Sequence, residues 1–295
     1  MTAPQPPAAL FAGLSTVDIV QLVERLPAAN EKVVSLDFLV AAGGPAANAA
    51  VAFAHCGGTA TLATALASHS LTGLIVADLE AAGVHVRQQA TYDGPPITAS
   101  ILVTRETGER AVISPAAMQR TLTAAHFPAT SLDGVKAVLI DGYFGEIAVP
   151  LAAQAREHGI PVLLDAGSHK PHTDELLAHV DIAVVSEDFA PPGINADPVS
   201  VLSYLADHGV AYGAMTRGAR AIVFRAPQTR GAIPVEPVDV ADSLGAGDFF
   251  HGALAYAIAH GGLVEESFPH QLGWASRVAG ASLGSFGTRA WLARR

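Results

Sequence analysis

Residues Asp242-Ser243-Leu244-Gly245-Ala246-Gly247-Asp248 stand between a strand-like run, VEPVDV, and a helix-like run, FFHGALAYAIAH. That placement gathers backbone N–H groups at a helix N-terminus, where the dipole favours negative charge, and sets a carboxylate beside them. Gly245, Ala246 and Gly247 are small enough to let a phosphate approach the main chain, and Asp248 is placed to take a proton from an attacking hydroxyl. A plain strand-to-helix turn is the competing reading, because such triplets are common in a chain rich in Ala and Gly. A second segment, Gly43-Gly44-Pro45-Ala46-Ala47-Asn48, turns on two glycines that would let a ligand touch backbone. It then enters an Ala-rich helix, with Pro at a tolerated first-turn position and Gly57-Gly58 as the stop. Asn48 falls in the first turn of that helix; its amide both donates and accepts, which suits a polyol, while capping or packing is the alternative.

The two segments, in this order and about two hundred residues apart, resemble those of the ribokinase-like (PfkB) carbohydrate kinases. The resemblance spans nearly the whole chain and takes in GLSTVD (Gly13 to Asp18), the Thr216-Arg217-Gly218 turn and the C-terminal helix region. The stretches LVERLP, VADLEAAGV, TGERAVI, VVSED and DSLGAGD are most similar to the ketohexokinase and sulfofructose kinase branch. What the resemblance implies is an α/β fold of the ribokinase type, a mostly parallel Rossmann-type sheet flanked by helices with a small β-sheet lid. It implies ATP-dependent transfer of a phosphoryl group to a hydroxymethyl group of a small sugar, with Asp248 as general base and the amides of Gly245, Ala246 and Gly247 as the anion hole. Asp18, Gly43, Gly44, Asn48 and, from the lid, Arg110 become the sugar contacts. Thr216, Gly218 and Ser276 fall at the nucleotide, with Ala221 replacing a usual glycine.

For Mg²⁺ the resemblance points to Glu187, although the chain reads Ser186-Glu187-Asp188-Phe189 where the family commonly shows Asn-x-x-Glu. A structural ion pair is the alternative for that side chain. Asp242 and Ser243 would help frame a monovalent-cation (K⁺) site, with turn capping as the competing role. Asp248, at a positive helix end and with an ordinary value near ~3.9, is expected to be ionised at neutral pH. Tyr143, in Asp141-Gly142-Tyr143-Phe144, occupies the position where an arginine often stands in the branch. A phenol cannot pair with an anionic substituent, so a neutral ketose or related furanose is favoured, unless Arg105, Arg110 or Lys170 compensates. A nucleoside kinase of the same family and a non-catalytic sugar- or nucleotide-sensing protein are the alternatives; a sensor has no need of Asp248.

Composition narrows the class. A chain of 295 residues that is 50% hydrophobic buries a large core, and a net charge of −10 without a local Lys/Arg cluster argues against a nucleic-acid surface. The single Cys56 excludes an intrachain disulfide framework and a cysteine metal cluster, which fits a reducing interior. The start, MTAPQPPAALFAGL, lacks a basic n-region, and no apolar run approaches the length of a membrane span. A soluble cytoplasmic protein is expected, with no membrane or nucleic-acid partner.

The elements that must hold these residues are legible as patterns. After a disordered Pro-rich start, AALFAGL reads as a buried strand, and VDIVQLVERLP with KVVSLDFLV as half-exposed strands of a lid. ITASILVT and RAVIS flank ETGE as a hairpin that joins them. The remainder alternates apolar runs with helical segments, the pattern of a parallel sheet whose ligands bind beyond the carboxyl ends of its strands. Asp165, Ser186, Glu187, Thr216 and the GAGD turn all fall at such ends. The organisation expected is one domain over 1–295, with a lid from about 16–42 and 95–114, a nucleotide-binding part in about 182–295, and a homodimer formed through the lid. Among the twelve histidines, His169 and His172 lack a third ligand at useful spacing. His251, one turn after Asp248, either contacts it or the phosphates or packs at the helix surface.

Overall fold

Two burial patterns produce two sheets. Runs buried on both faces, such as VLLDA and IAVV, form the near-continuous apolar strands of a parallel sheet. The alternating burial of TASILVT belongs to a sheet covered on one side. The computed structural model describes residues 5–117, 120–122 and 131–293, so the Pro-rich start lies partly outside the described residues. In chain order the first half contains β1 (Ala8–Ala12), β2 (Thr16–Val23), β3 (Asp37–Gly43), α1 (Pro45–His55), β4 (Thr59–Ala67), α2 (Thr72–Ala81), β5 (Val84–Tyr92), β6 (Thr98–Thr104) and β7 (Arg110–Ile113). There follow β8 (Val135–Ile140), α3 (Gly145–Glu157), β9 (Val162–Ala166), α4 (Thr173–Leu177), β10 (Ile182–Val185) and α5 (Pro198–Asp207). The chain closes with β11 (Tyr212–Arg217), β12 (Arg220–Arg225), β13 (Arg230–Ile233), α6 (Ala246–Gly261) and α7 (Phe268–Leu283).

Among the described residues the larger sheet has nine strands in the order β13-β12-β11-β10-β9-β8-β1-β4-β5, and the lid has four in the order β3-β2-β6-β7. All neighbours from β11 to β5 pair in parallel, while β12 and β13 add an antiparallel edge. The chain runs outward from β1 in one direction through β4 and β5, then in the other from β8. The crevice at β1 and β8 is therefore the switch point at which α/β sheets bind ligands. In the lid, β6 joins β2 in parallel although β6 and β7 are antiparallel to each other.

Two expected strands need correction. VEPVDV forms no strand; Pro234 and Pro237 carry no N–H to donate to a ladder, and the segment runs exposed into the GAGD turn. KVVSLDFLV becomes strand only from Asp37, which stands opposite Leu22 near the end of β2.

The feature that positions the site is the crossing of α1 and α6. α1 carries Ala46, Ala49, Ala50 and Phe53 into the same buried cluster as Phe250, Ala253 and Leu254 of α6. A Cβ at Gly252 would overlap the Ala49 carbonyl oxygen, so the two backbones meet where neither residue presents more than a methyl group. Gly252→Ala should force the helices apart and cost about 1–3 kcal/mol, the usual price of overpacking a filled core. A thermal melt reads that loss, and an unchanged melting temperature would show that the crossing has slack.

Candidate active site

Asp248 occupies the first turn of α6, behind Gly245, whose φ of 76° is a left-handed conformation that suits glycine. Asn48, in the first turn of α1, donates from Nδ2 to Asp248 Oδ2 at 2.9 Å. The two sequence segments are thus one constellation. The space above Gly247 is open, with no heavy atom within 4 Å of a Cβ built there, and the first-turn amides of α6 have no intrahelical acceptor of their own. Asp248 was expected to be ionised at neutral pH; instead its carboxyl is pushed up to about 7. Burial is the main cause and the charge of Asp165 adds to it, while the Asn48 hydrogen bond, His251 and Arg110 oppose. The positive helix end does not outweigh desolvation and a second acid.

The opposite end of the Asn48 amide is also fixed. Arg289 donates from Nη1 to Asn48 Oδ1 at 3.2 Å, and its Nη2 reaches Asp78 Oδ2 and the Ala42 carbonyl, each at 2.8 Å. Asp78 in turn accepts from Ala42 N at 3.0 Å. The guanidinium and carboxylate clamp both backbone groups of a β3 residue while orienting Asn48, so its N–H groups face Asp248.

Asp18 is buried on β2 and accepts from Thr16 Oγ1 at 2.5 Å. Burial raises its carboxyl above the ordinary value, against the Thr16 hydrogen bond and the charge of Arg289. Gly43 and Gly44, expected to let a ligand touch backbone, also lie tight against the protein itself. A Cβ at Gly43 would overlap the Asp18 carboxylate, and one at Gly44, where φ is 100°, would strike the Leu14 carbonyl. Their smallness serves the protein's own packing.

Asp141, at the end of β8, accepts from Leu14 N (2.8 Å), Ala46 N (3.1 Å) and Tyr143 N (3.0 Å). It ties the ends of β1 and β8 to the start of α1, and burial pushes its carboxyl up to about 6 despite those donors. Tyr143 lies beside it with Lys170 Nζ 4.6 Å from the ring centre. Burial first, then Asp141, Asp165 and Asp248, push its phenol up to about 12.

Arg110 reaches the GAGD turn from the lid, donating to Ser243 Oγ at 3.1 Å and to its carbonyl at 3.3 Å. The proposed cation ligands are otherwise engaged. Asp242 Oδ1 accepts from Leu244 N and Oδ2 from Gly287 N, both at 2.8 Å, which is the work of a turn cap. Ser243 donates to Gly108 O at 3.0 Å under a fixed guanidinium. Glu187 is paired with Arg220, so the ion-pair alternative describes its position. Among the described residues no group of three or more His, Cys, Asp or Glu side chains is placed to hold a metal ion. Thr216 bonds the Val185 carbonyl at 3.3 Å, Gly218 turns with φ 58°, and the Ala221 carbonyl accepts from Arg217 at 2.7 Å. Ser276 is half-buried on α7. His169 bonds Asp174 at 2.9 Å and His172 faces Glu175. His251 is neither at the surface nor bonded to Asp248; it is buried against Asp165 at 3.3 Å.

Residues 9–293 match the profile of the pfkB family carbohydrate kinases. The chain belongs to that family. It is 26% identical over 286 residues to the ribokinase of Bacillus subtilis, covering 96% of this chain and 95% of that one. It is 24% identical over 296 residues to the ketohexokinase of Mus musculus, covering 93% and 95%. A bifunctional ribokinase/ribose-5-phosphate isomerase A of Fructilactobacillus sanfranciscensis is 26% identical over 261 residues, which are 83% of this chain and 47% of the relative, so the chain spans about half of that protein. The structure of Arabidopsis thaliana ribokinase complexed with ribose and ATP superposes with a TM-score of 0.74 at 22% identity, covering 96% of this chain and 94% of that one. Ribokinase from Giardia lamblia gives 0.79 at 17% identity, covering 98% and 97%. These likenesses establish the ribokinase-like fold, and no helix among the described residues is long and apolar enough to cross a membrane.

Within this pfkB-family fold, sequence reasoning missed Arg289, Asp78 and the tethering role of Asp141. Only Asp141 carried a local signal, an acid closing an apolar strand run. Replacing Arg289 with Ala strips Asp78 and the Ala42 carbonyl of charge-assisted bonds and should cost about 1–3 kcal/mol. A lowered urea midpoint at constant m-value checks this. Arg289→Lys, which keeps the charge without the fork, should fall between the two.

Proposed function

We propose that the protein transfers the γ-phosphoryl group of ATP to a hydroxymethyl group of a small neutral sugar, a ketose or related furanose. The observation that carries this is the Asn48–Asp248 hydrogen bond at 2.9 Å, beside the open face of Gly247. It sets a carboxylate next to a space fit for a phosphate. In the reaction the sugar oxygen attacks the γ-phosphorus, the new O–P bond forms, the bond to the β,γ-bridging oxygen breaks and ADP leaves, while the hydroxyl proton passes to Asp248. The α6 amides and Arg110 stabilise the charge on the transferred group. Mg²⁺ enters with the ATP phosphates and keeps its waters, a mode that asks for few protein carboxylates.

Asp18 and Asp248 put two acids at the site, against Lys170 on the Tyr143 ring and Arg110 held by Ser243, a balance that supports a neutral sugar over a sulfonated or phosphorylated one. Thr216, Gly218 and Ser276 are assigned to the nucleotide. The half-buried lone thiol, Cys56, has its proton affinity pushed up to about 12 by burial and is therefore a poor nucleophile. The outer face of the lid supports a homodimer. Val40, Ile19, Ser100 and Ile113 form one row across its four strands, with Phe38 in the next, and Phe38 and Ile113 are 56% and 74% exposed. In sedimentation velocity the protein should run as a dimer and Phe38→Lys as a monomer; a monomeric parent chain would refute the lid interface.

A panel of free sugars and nucleosides with ATP and Mg²⁺, read by coupled ADP release, tests the reaction. Turnover of nucleosides alone overturns the sugar assignment, and a tenfold preference for an anionic sugar, about 1.4 kcal/mol, overturns its neutrality. Asp248→Asn should lower kcat by roughly 10²- to 10⁴-fold while ATP affinity by calorimetry holds. With Asp248 titrating at about 7, activity should fall as the pH drops through that value, since the protonated acid accepts no proton. Gly247→Val fills only open space, so it should abolish turnover without lowering the melting temperature.

A further inference from the structure

Arg289 is one side chain removed from the base: it holds Asn48, and Asn48 holds Asp248. An arginine so placed in a kinase invites assignment to a phosphate, but it has no donor left to give one. A guanidinium carries five N–H donors and no acceptor. Nε and one Nη2 hydrogen go to Asp78 Oδ2 at 3.0 and 2.8 Å, the other Nη2 hydrogen to the Ala42 carbonyl at 2.8 Å, and the Nη1 hydrogens to Asn48 Oδ1 at 3.2 Å and the Thr288 carbonyl at 3.1 Å. Every donor is engaged within the protein. The residue is also rooted beside the base. Gly287, two positions earlier, donates to Asp242 Oδ2 at 2.8 Å, and Trp291 donates from Nε1 to the Thr288 carbonyl at 3.2 Å while its ring centre lies 4.8 Å from that of Phe249 on α6. The arginine therefore starts from the turn that presents Asp248 and ends on α2, β3 and α1.

Because Arg289 can only donate, the Asn48 atom it meets must be the oxygen, and this turns Nδ2 towards Asp248. The reversed amide would set N–H groups against the guanidinium and a carbonyl against the carboxyl. Asn48 is 3% exposed; one Nδ2 hydrogen goes to Asp248 Oδ2, and the other has no acceptor among the described residues. We infer that Arg289 is a positioning residue for phosphoryl transfer: it touches no phosphate, and it fixes the Asn48 amide so that one N–H holds Asp248 and the other is left for the oxygen of the attacking hydroxyl. Held this way, the hydroxyl accepts from Asn48 and donates to Asp248, which aims its remaining lone pair at the γ-phosphorus. The consequence for turnover rests on the proposed sugar-kinase reading; the orientation of the amide does not.

The test is a double-mutant cycle read on kcat with ATP, Mg²⁺ and the sugar identified by the panel. Arg289→Ala should lower kcat about tenfold or more, as misplacement of a reacting group does, with KM for ATP within about twofold of the parent value. In an Asn48→Ala background the same substitution should change kcat by less than about twofold, because the amide through which it acts is gone. Equal losses with and without Asn48 make Arg289 a structural residue, and a KM for ATP that rises as far as kcat falls makes it a phosphate ligand; either result overturns the inference. If Arg289→Ala fails to fold, Arg289→Lys, which keeps the charge without the fork, goes through the same cycle and is judged by the same criteria. A measurement without turnover keeps the two readings apart. The Asn48 side-chain amide, assigned in a ¹H–¹⁵N spectrum by its absence in Asn48→Ala, should show the proton given to Asp248 well downfield of the other. Arg289→Ala should return that proton to the position of an unbonded amide, and an unchanged pair of signals sinks the positioning role. A protein that phosphorylates no sugar would refute the kinase reading, while the amide signals would still decide whether Arg289 orients Asn48.

Discussion

The contact between Gly252 and the Ala49 carbonyl sets the distance on which the site depends. Helices with ordinary side chains at a crossing keep their axes 8–10 Å apart or so; here one partner presents no Cβ and the other an alanine. Only this close approach brings an amide in the first turn of α1 within 2.9 Å of a carboxylate in the first turn of α6, across 200 residues of sequence. The alanine richness of α1 has its physical reason in the same contact. Larger side chains would bury more area, about 25 cal/mol for each Å², but would hold the two helix N-termini apart.

Around that crossing the protein concentrates carboxylates and then assigns them different work by what each one touches. Asp141 and Asp242 accept backbone N–H groups and tie turns together. Asp78 is matched by Arg289. Asp18 keeps a single hydroxyl donor from Thr16, and Asp165 has proximity to His251 without a hydrogen bond. Burial first and the charge of Asp165 second raise the proton affinity of Asp248 despite the helix end beneath it.

Much of the architecture was legible because it is local. Apolar runs of strand length, the hairpin around ETGE, the glycines that end α1 and the GAGD turn that opens α6 each follow from period and turn chemistry within a short window. The same local logic misread VEPVDV, where Pro237 and the preceding Pro234 defeat an apolar alternation, and placed the start of β3 too early. Glu187 shows the limit at the level of a side chain: its pairing with Arg220, more than thirty positions on, is visible only in three dimensions.

The sequence by itself determined which residues can do the chemistry: the small residues before Asp248, the acid itself, Asn48 after its glycine pair, and the alternation that builds a parallel sheet with a lid. Tertiary structure alone decided what those residues face. It joined Asn48 to Asp248, brought Arg289 back from the C-terminal end to orient the amide, set the protein's own atoms against Gly43 and Gly44, and placed Asp165 beside His251. The division has a physical cause. Backbone conformation answers to neighbours a few residues away, whereas burial and electrostatic potential at a point are sums over everything nearby in space, and most of what is nearby here comes from distant parts of the chain.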